Sequence, residues 1–212
     1  MTGFTLGGRS REVDITGEDQ FSPDLFESQN HSFTINRLSP TIGAELLGVD
    51  LSKEISKELR DDIYQALLVY KVIFFRDQDI NTQQHMKFAR LFGDLEIHPF
   101  ATNDENNPEV LKITHDKNSR GRENTWHSDV TWRLQPSLGS ILKMVQKPDH
   151  GGDTLFADMY AVYDNLPEDV KERLEGQVAV HDFANFRKGL VKKGLSQEEI
   201  EKVNQKFPNP EH

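Results

Sequence analysis

The order of two hydrophobic rhythms along the chain restricts its fold more than any other feature. Short runs rich in β-branched and aromatic residues, expected as strands, fall near residues 109–114, 126–132, 139–145 and 153–157, in the middle of the sequence. Helical spacing is confined to the flanks: residues 56–70 and 82–92 before them, then the stretch between Pro167 and Gly176 and a segment opened by Ser196. One further apolar run, residues 72–75, has the length of a buried strand. A doubly wound sheet requires strands and helices to alternate, and these do not. The expected fold is mainly β with flanking helices, a sandwich or barrel.

The helix ends are written locally. Ser56 can cap the first helix, Glu58 suits its positive end, and Leu59, Ile63 and Leu67 recur every four residues. Gly93 is the expected stop of the second helix, and Pro167 and Gly176 delimit the third. Ser196 with Glu199 forms a capping box for the last. Residues 1–31 are rich in Gly, Ser and Asp, with isolated Phe4, Phe21 and Phe26 and no period. They are expected as a mobile N-terminal extension, and residues 32–212 as the domain.

Composition removes several functions. With no Cys among 212 residues, disulfides, thiolate zinc sites and a cysteine nucleophile are excluded. A formal charge of −10 argues against nucleic acid or an anionic membrane as partner. The longest apolar stretch, residues 66–75, is interrupted by Lys71 and is too short to span a bilayer. No basic segment followed by an apolar one opens the chain, so a cytoplasmic location is expected.

Trp126-His127-Ser128-Asp129-Val130-Thr131-Trp132 is the segment most capable of chemistry. On a strand, His127 and Asp129 project from one face and can point at a common centre. An imidazole nitrogen and a carboxylate oxygen suit a divalent first-row metal, and with a second His they make the face used by non-haem Fe(II). The triplet alone carries little weight. With 8 His and 35 Asp plus Glu in 212 residues, chance yields about one His-x-acid triplet. By itself it reads as a half-buried strand whose polar side chains bond each other or the backbone. Gly151-Gly152-Asp153-Thr154 is likewise a tight turn entering a strand, with a hydroxyl at its start. Trp126 and Trp132 are expected to pack, Tyr160 and Tyr163 to lie in the core, and Arg187, Lys188, Lys192 and Lys193 to form a solvated basic face.

Taken together, these segments resemble the taurine dioxygenase family of Fe(II)- and 2-oxoglutarate-dependent oxygenases. The resemblance extends to Ile42-Gly43-Ala44-Glu45 with Gly48-Val49-Asp50-Leu51, Val72-Ile73-Phe74-Phe75-Arg76-Asp77-Gln78, Phe92-Gly93-Asp94, Ile97-His98-Pro99 and His181-Asp182-Phe183, in family order. It implies a double-stranded β-helix (jelly roll) with Fe(2+) near its mouth and 2-oxoglutarate as cosubstrate. His127 and Asp129 are then iron ligands, Thr154 binds the distal carboxylate of 2-oxoglutarate, and His98 contacts the anionic group of a small substrate. That substrate is expected to be a sulfonate, sulfate ester or related carboxylate, hydroxylated with O2 to give succinate and CO2.

Ala101 stands where the taurine enzyme has a Tyr, which argues against taurine itself. The family's second iron-binding His and its 2-oxoglutarate-binding Arg have no counterpart, because residues 208–212 match the start of a family segment that stops in mid-motif. His212 matches a His before that segment, while His31, His85, His115, His150 and His181 are expected as surface or core residues. The chain is accordingly expected to be an incomplete jelly roll. Homo-oligomerisation is an expectation from family analogy alone. Two rivals remain open: a non-catalytic jelly-roll fragment or binding module, and a cupin-type metal hydrolase or isomerase.

Overall fold

The computed structural model describes residues 2–7, 22–98, 104–115, 125–181, 191 and 194–206. It divides into two compact units, one of Met1–Gly8, Asp94–Val145 and Glu172–His212, the other of Arg9–Gly93 and Gln146–Lys171.

In the first unit the central strand is β1 (Thr2–Gly7). It pairs antiparallel along its length with β7 (Gly139–Lys143), in the register Thr2↔Lys143 to Leu6↔Gly139. It also pairs with β5 (Asp94–Leu95) through Leu6 and Gly7, and with β6 (Leu111–Lys112) through Thr2 and Gly3. The extension expected over residues 1–31 contains two described segments with partners. Thr2–Gly7 is the strand that the other three share, and Phe26, in α1 (Pro23–Glu27), is buried. A segment without internal period can still be ordered by long-range ladder bonds and one buried ring.

A correction concerns residues 126–132, which form bends and turns rather than a strand. Val130 adopts φ +50°, and the Arg133 N–H donates to its carbonyl at 3.0 Å. A left-handed residue ends extended geometry outright. Val130 and Trp132 are nonetheless both buried, with Val203 of α6 (Gln197–Lys206) packed against them. The apolar alternation thus marks burial correctly while the backbone between departs from a ladder. Trp126, by contrast, is 70% exposed.

In the second unit β2 (Thr34–Arg37) pairs antiparallel with β3 (Ala44–Leu47), which pairs parallel with β4 (Ile73–Phe74). Between β3 and β4 runs α2 (Lys57–Tyr70), whose Ser56 hydroxyl accepts the Leu59 N–H as expected. Its buried face is Ile63, Ala66, Val69 and Tyr70, so Ile63 is central while Leu59 and Leu67 are only half-buried flanks. α3 (Thr82–Ala89) opens with an Asn81–Gln84 capping box and buries Met86, Phe88 and Ala89. It ends with a right-handed Arg90, short of Gly93.

α4 (Met159–Asp164) starts from Asp158, whose carboxylate accepts from the Tyr160 and Ala161 N–H groups. Tyr160 and Tyr163, expected in the core, are exposed, with Lys71 over one ring and Lys171 over the other. α5 (Glu168–Leu174) follows Pro167, and Gly176 beyond it has φ +68°. Residues 153–157 carry no ladder. Among the described residues no helix is long and apolar enough to cross a membrane.

Candidate active site

His127 and Asp129 meet, although not by sharing a strand face. The left-handed Val130 turns the chain directly after Asp129, and the burial of Val130 and Trp132 holds that turn against the unit's interior. The two polar side chains are left outside, 57% and 62% exposed. His127 Nε2 stands 3.4 Å from Asp129 Oδ1, and its Nδ1 lies 3.0 Å from the Thr125 carbonyl oxygen. A carbonyl only accepts, so the neutral ring keeps its proton on Nδ1 and presents a bare lone pair at Nε2.

That lone pair confronts a carboxylate oxygen, which is also an acceptor. The arrangement calls for a cation, either a proton on Nε2 or a metal ion between the two atoms. Two donors each about 2.1 Å from a shared ion lie about 3.0 Å apart at a right angle and about 3.4 Å apart at a tetrahedral one. The observed spacing falls at the upper end of this range, and the Thr125 carbonyl is the kind of outer partner that fixes the tautomer of a metal-binding His. The pair fits a divalent ion as two ligands. Among the described residues no third His, Cys, Asp or Glu joins them.

Side chains outside the pair make polar contacts of their own in this unit. Ser140 of β7 donates its hydroxyl to Asp129 Oδ2 at 3.1 Å. Arg133 forms an ion pair with Glu96, which also accepts from Ser137 at 3.2 Å. The guanidinium lies 5.0 Å from the Trp132 ring centroid. The Ser140 and Glu96 contacts have no local sequence signal, since Ser140 comes from a separate strand and Glu96 lies 37 residues from Arg133.

His98 is half-buried on the same side. Burial and then the nearby Arg133 charge hold its imidazolium form below the ordinary histidine range, and Asp129 and Glu96 pull the other way. The structure thus brings His98 into the electrostatic neighbourhood of Asp129.

Thr154 belongs to the other unit and is exposed. It follows Gly151 and Gly152, whose φ values of +72° and +76° explain why that turn takes glycine twice. Beyond it, Phe156 meets the Phe74 ring edge-on at 6.1 Å and Asp158 binds Lys71 at 2.9 Å. Residues 187, 188, 192, 193 and 212, discussed from sequence, lie outside the described residues.

The model of the "Taurine catabolism dioxygenase TauD, TfdA family" matches residues 34–212. An alkylsulfatase from Acinetobacter baylyi is 32% identical over 184 residues, which is 86% of this chain and 57% of that protein. An alpha-ketoglutarate-dependent sulfate ester dioxygenase from Pseudomonas putida is 35% identical over 158 residues, 72% of this chain and 52% of that one. The crystal structure of a taurine dioxygenase from Burkholderia xenovorans superposes with a TM-score of 0.64 at 36% identity, covering 72% of this chain and 54% of the other. The chain spans about half the length of the curated relatives it matches.

Proposed function

Because the chain belongs to the TauD, TfdA family of dioxygenases, we propose that it acts as an Fe(II)- and 2-oxoglutarate-dependent dioxygenase on a small organic anion. A sulfate ester dioxygenase and an alkylsulfatase are among its relatives. A sulfate ester, or a sulfonate or carboxylate of similar shape, is therefore the proposed substrate class. The double-stranded β-helix is the proposed architecture around the site. The observation that carries this reading is the convergence of two acceptor atoms, His127 Nε2 and Asp129 Oδ1, on one exposed point.

The chemistry supplied by bound ferrous ion with 2-oxoglutarate is the coupling of O2 reduction to decarboxylation of the cosubstrate and hydroxylation of a C–H bond. The chain's own residues bind and orient. His127 and Asp129 offer one lone pair each from the same side, and their exposure leaves the opposite side open to small molecules. Thr125 keeps the ring proton on Nδ1, so Nε2 stays available. Thr154 is proposed from the family resemblance alone to hydrogen-bond the distal carboxylate of 2-oxoglutarate.

His98 has a distinct role in this reading. Burial and Arg133 oppose its protonation while Asp129 and Glu96 favour it, and it is proposed to meet the substrate's anionic group as an N–H donor. Arg133, paired with Glu96, is a further cation near His98.

Anaerobic addition of Fe(II) and then 2-oxoglutarate to the purified chain tests the proposal. A weak visible absorption from the chelate, followed in air by succinate release matched to O2 uptake, is the expected result. A binding module produces no absorption, and a metal hydrolase or isomerase turns over without consuming O2. Either outcome overturns the proposal.

A further inference from the structure

We propose that Ser140 is a positioning residue for Asp129: its hydroxyl holds Oδ2 so that Oδ1 remains turned toward His127. The inference rests on the reading of His127 and Asp129 as a metal-binding pair and adds a residue to that site.

Three observations carry it. First, the two oxygens of Asp129 are divided between different partners. Oδ2 accepts from Ser140 Oγ at 3.1 Å, while Oδ1 faces His127 Nε2 at 3.4 Å. A carboxylate held in this way keeps one oxygen and its plane aimed at an ion. Second, the anchor is firmer than the group it holds. Ser140 sits within β7, paired with Thr5 in a continuous five-residue ladder, whereas Asp129 lies on a turn beside the left-handed Val130. Third, the site is exposed. A carboxylate 62% open to solvent loses rotamer freedom on binding an ion, and a preformed hydrogen bond reduces that loss.

A serine on a strand has many ordinary uses, so the test has to separate positioning from structure. Thr and Val at position 140 are nearly isosteric and equally suited to a strand, but only Thr keeps the hydroxyl. Co(II) alone is titrated into the full chain, and both affinity and the visible ligand-field spectrum are recorded. Far-UV circular dichroism confirms folding of each variant.

Ser140→Thr is expected to bind Co(II) with nearly the wild-type affinity and spectrum. Ser140→Val is expected to bind about 10- to 100-fold more weakly, with an altered spectrum reporting a changed coordination geometry. Ser140→Ala provides the same comparison without a branched side chain. Equal affinity and spectra for the Thr and Val variants would overturn the positioning role, and if Asp129→Ala still abolishes binding, the metal-site reading survives that failure. If Asp129→Ala binds Co(II) as the wild type does, the site reading falls and the positioning role falls with it.

Discussion

Lys71 ends α2 in a left-handed conformation, φ +64°, and extends its ammonium group 2.9 Å to the carboxylate of Asp158, which is buried at the start of α4. The same ammonium donates to the Thr41 carbonyl at 2.8 Å. One side chain therefore ties the end of a helix to the segment that carries Thr154. Burial alone would raise the Asp158 pKa, but the Lys71 contact and the α4 N–H groups outweigh it, and the group lies below its ordinary value.

Lys71→Gly sets two effects against each other. Glycine removes the left-handed cost of an L residue, about 1 kcal/mol, but strips a buried carboxylate of its cation, about 2–4 kcal/mol. The net expectation is a loss of about 1–3 kcal/mol in urea unfolding. Adding Asp158→Asn should recover part of the loss, because the neutral amide no longer needs a cation.

His127→Ala and Asp129→Ala each remove one of the converging lone pairs. Each should lower succinate formation by more than about 100-fold and abolish the visible absorption of the anaerobic chelate. Stability should change little, since both side chains are exposed. Retained absorption in either variant would refute the assignment.

Val130→Gly tests the turn that presents Asp129. Relief of the left-handed backbone returns about 1–2 kcal/mol, while the lost burial of a Val side chain and the added chain entropy together cost about 2–4 kcal/mol. A net destabilisation of about 1–2 kcal/mol follows. Co(II) affinity should fall as well, because Asp129 then hangs on a freer backbone. Unchanged affinity in the destabilised variant would show that the turn does not orient the ligand.

The acid limb of stability should depend on Asp104. Its side chain pairs with Lys112 and accepts from Asn107, which lowers its pKa from 3.8 to about 2. A carboxylate depressed in the folded state contributes stability that is complete above its unfolded pKa and is lost as pH falls through the folded value. The urea midpoint of Asp104→Asn should therefore lie below wild type by a constant amount from pH 7 to about 5 and converge with it between about pH 4 and 2. A gap undiminished at about pH 2 would assign the difference to something other than ionisation.

Helix existence was legible in the sequence wherever one residue decides a local hydrogen bond. Ser56 caps α2, Ser196 and Glu199 exchange reciprocal bonds before α6, and Gly176 takes its positive φ after α5. The buried face of α2 was read only in part, because Leu59 and Leu67 are as hydrophobic as Ile63 yet only packing selects among them. Tyr160 and Tyr163 show the same limit: helical spacing places residues on one face without saying whether anything covers that face.

The candidate pair was legible as chemistry and misread as geometry. His-x-Asp named the two residues, and the expectation that they converge agrees with the 3.4 Å spacing. The strand that was to bring them together is instead a turn, with Val130 left-handed and both Val130 and Trp132 buried beside Val203. Composition, local caps and the identity of the reactive side chains follow from residues that are neighbours in the chain. Which oxygen of Asp129 faces His127, and that Ser140 holds the other, follows from a ladder between residues 5 and 140, a pairing that local sequence cannot specify because it is settled only when distant segments exclude water together.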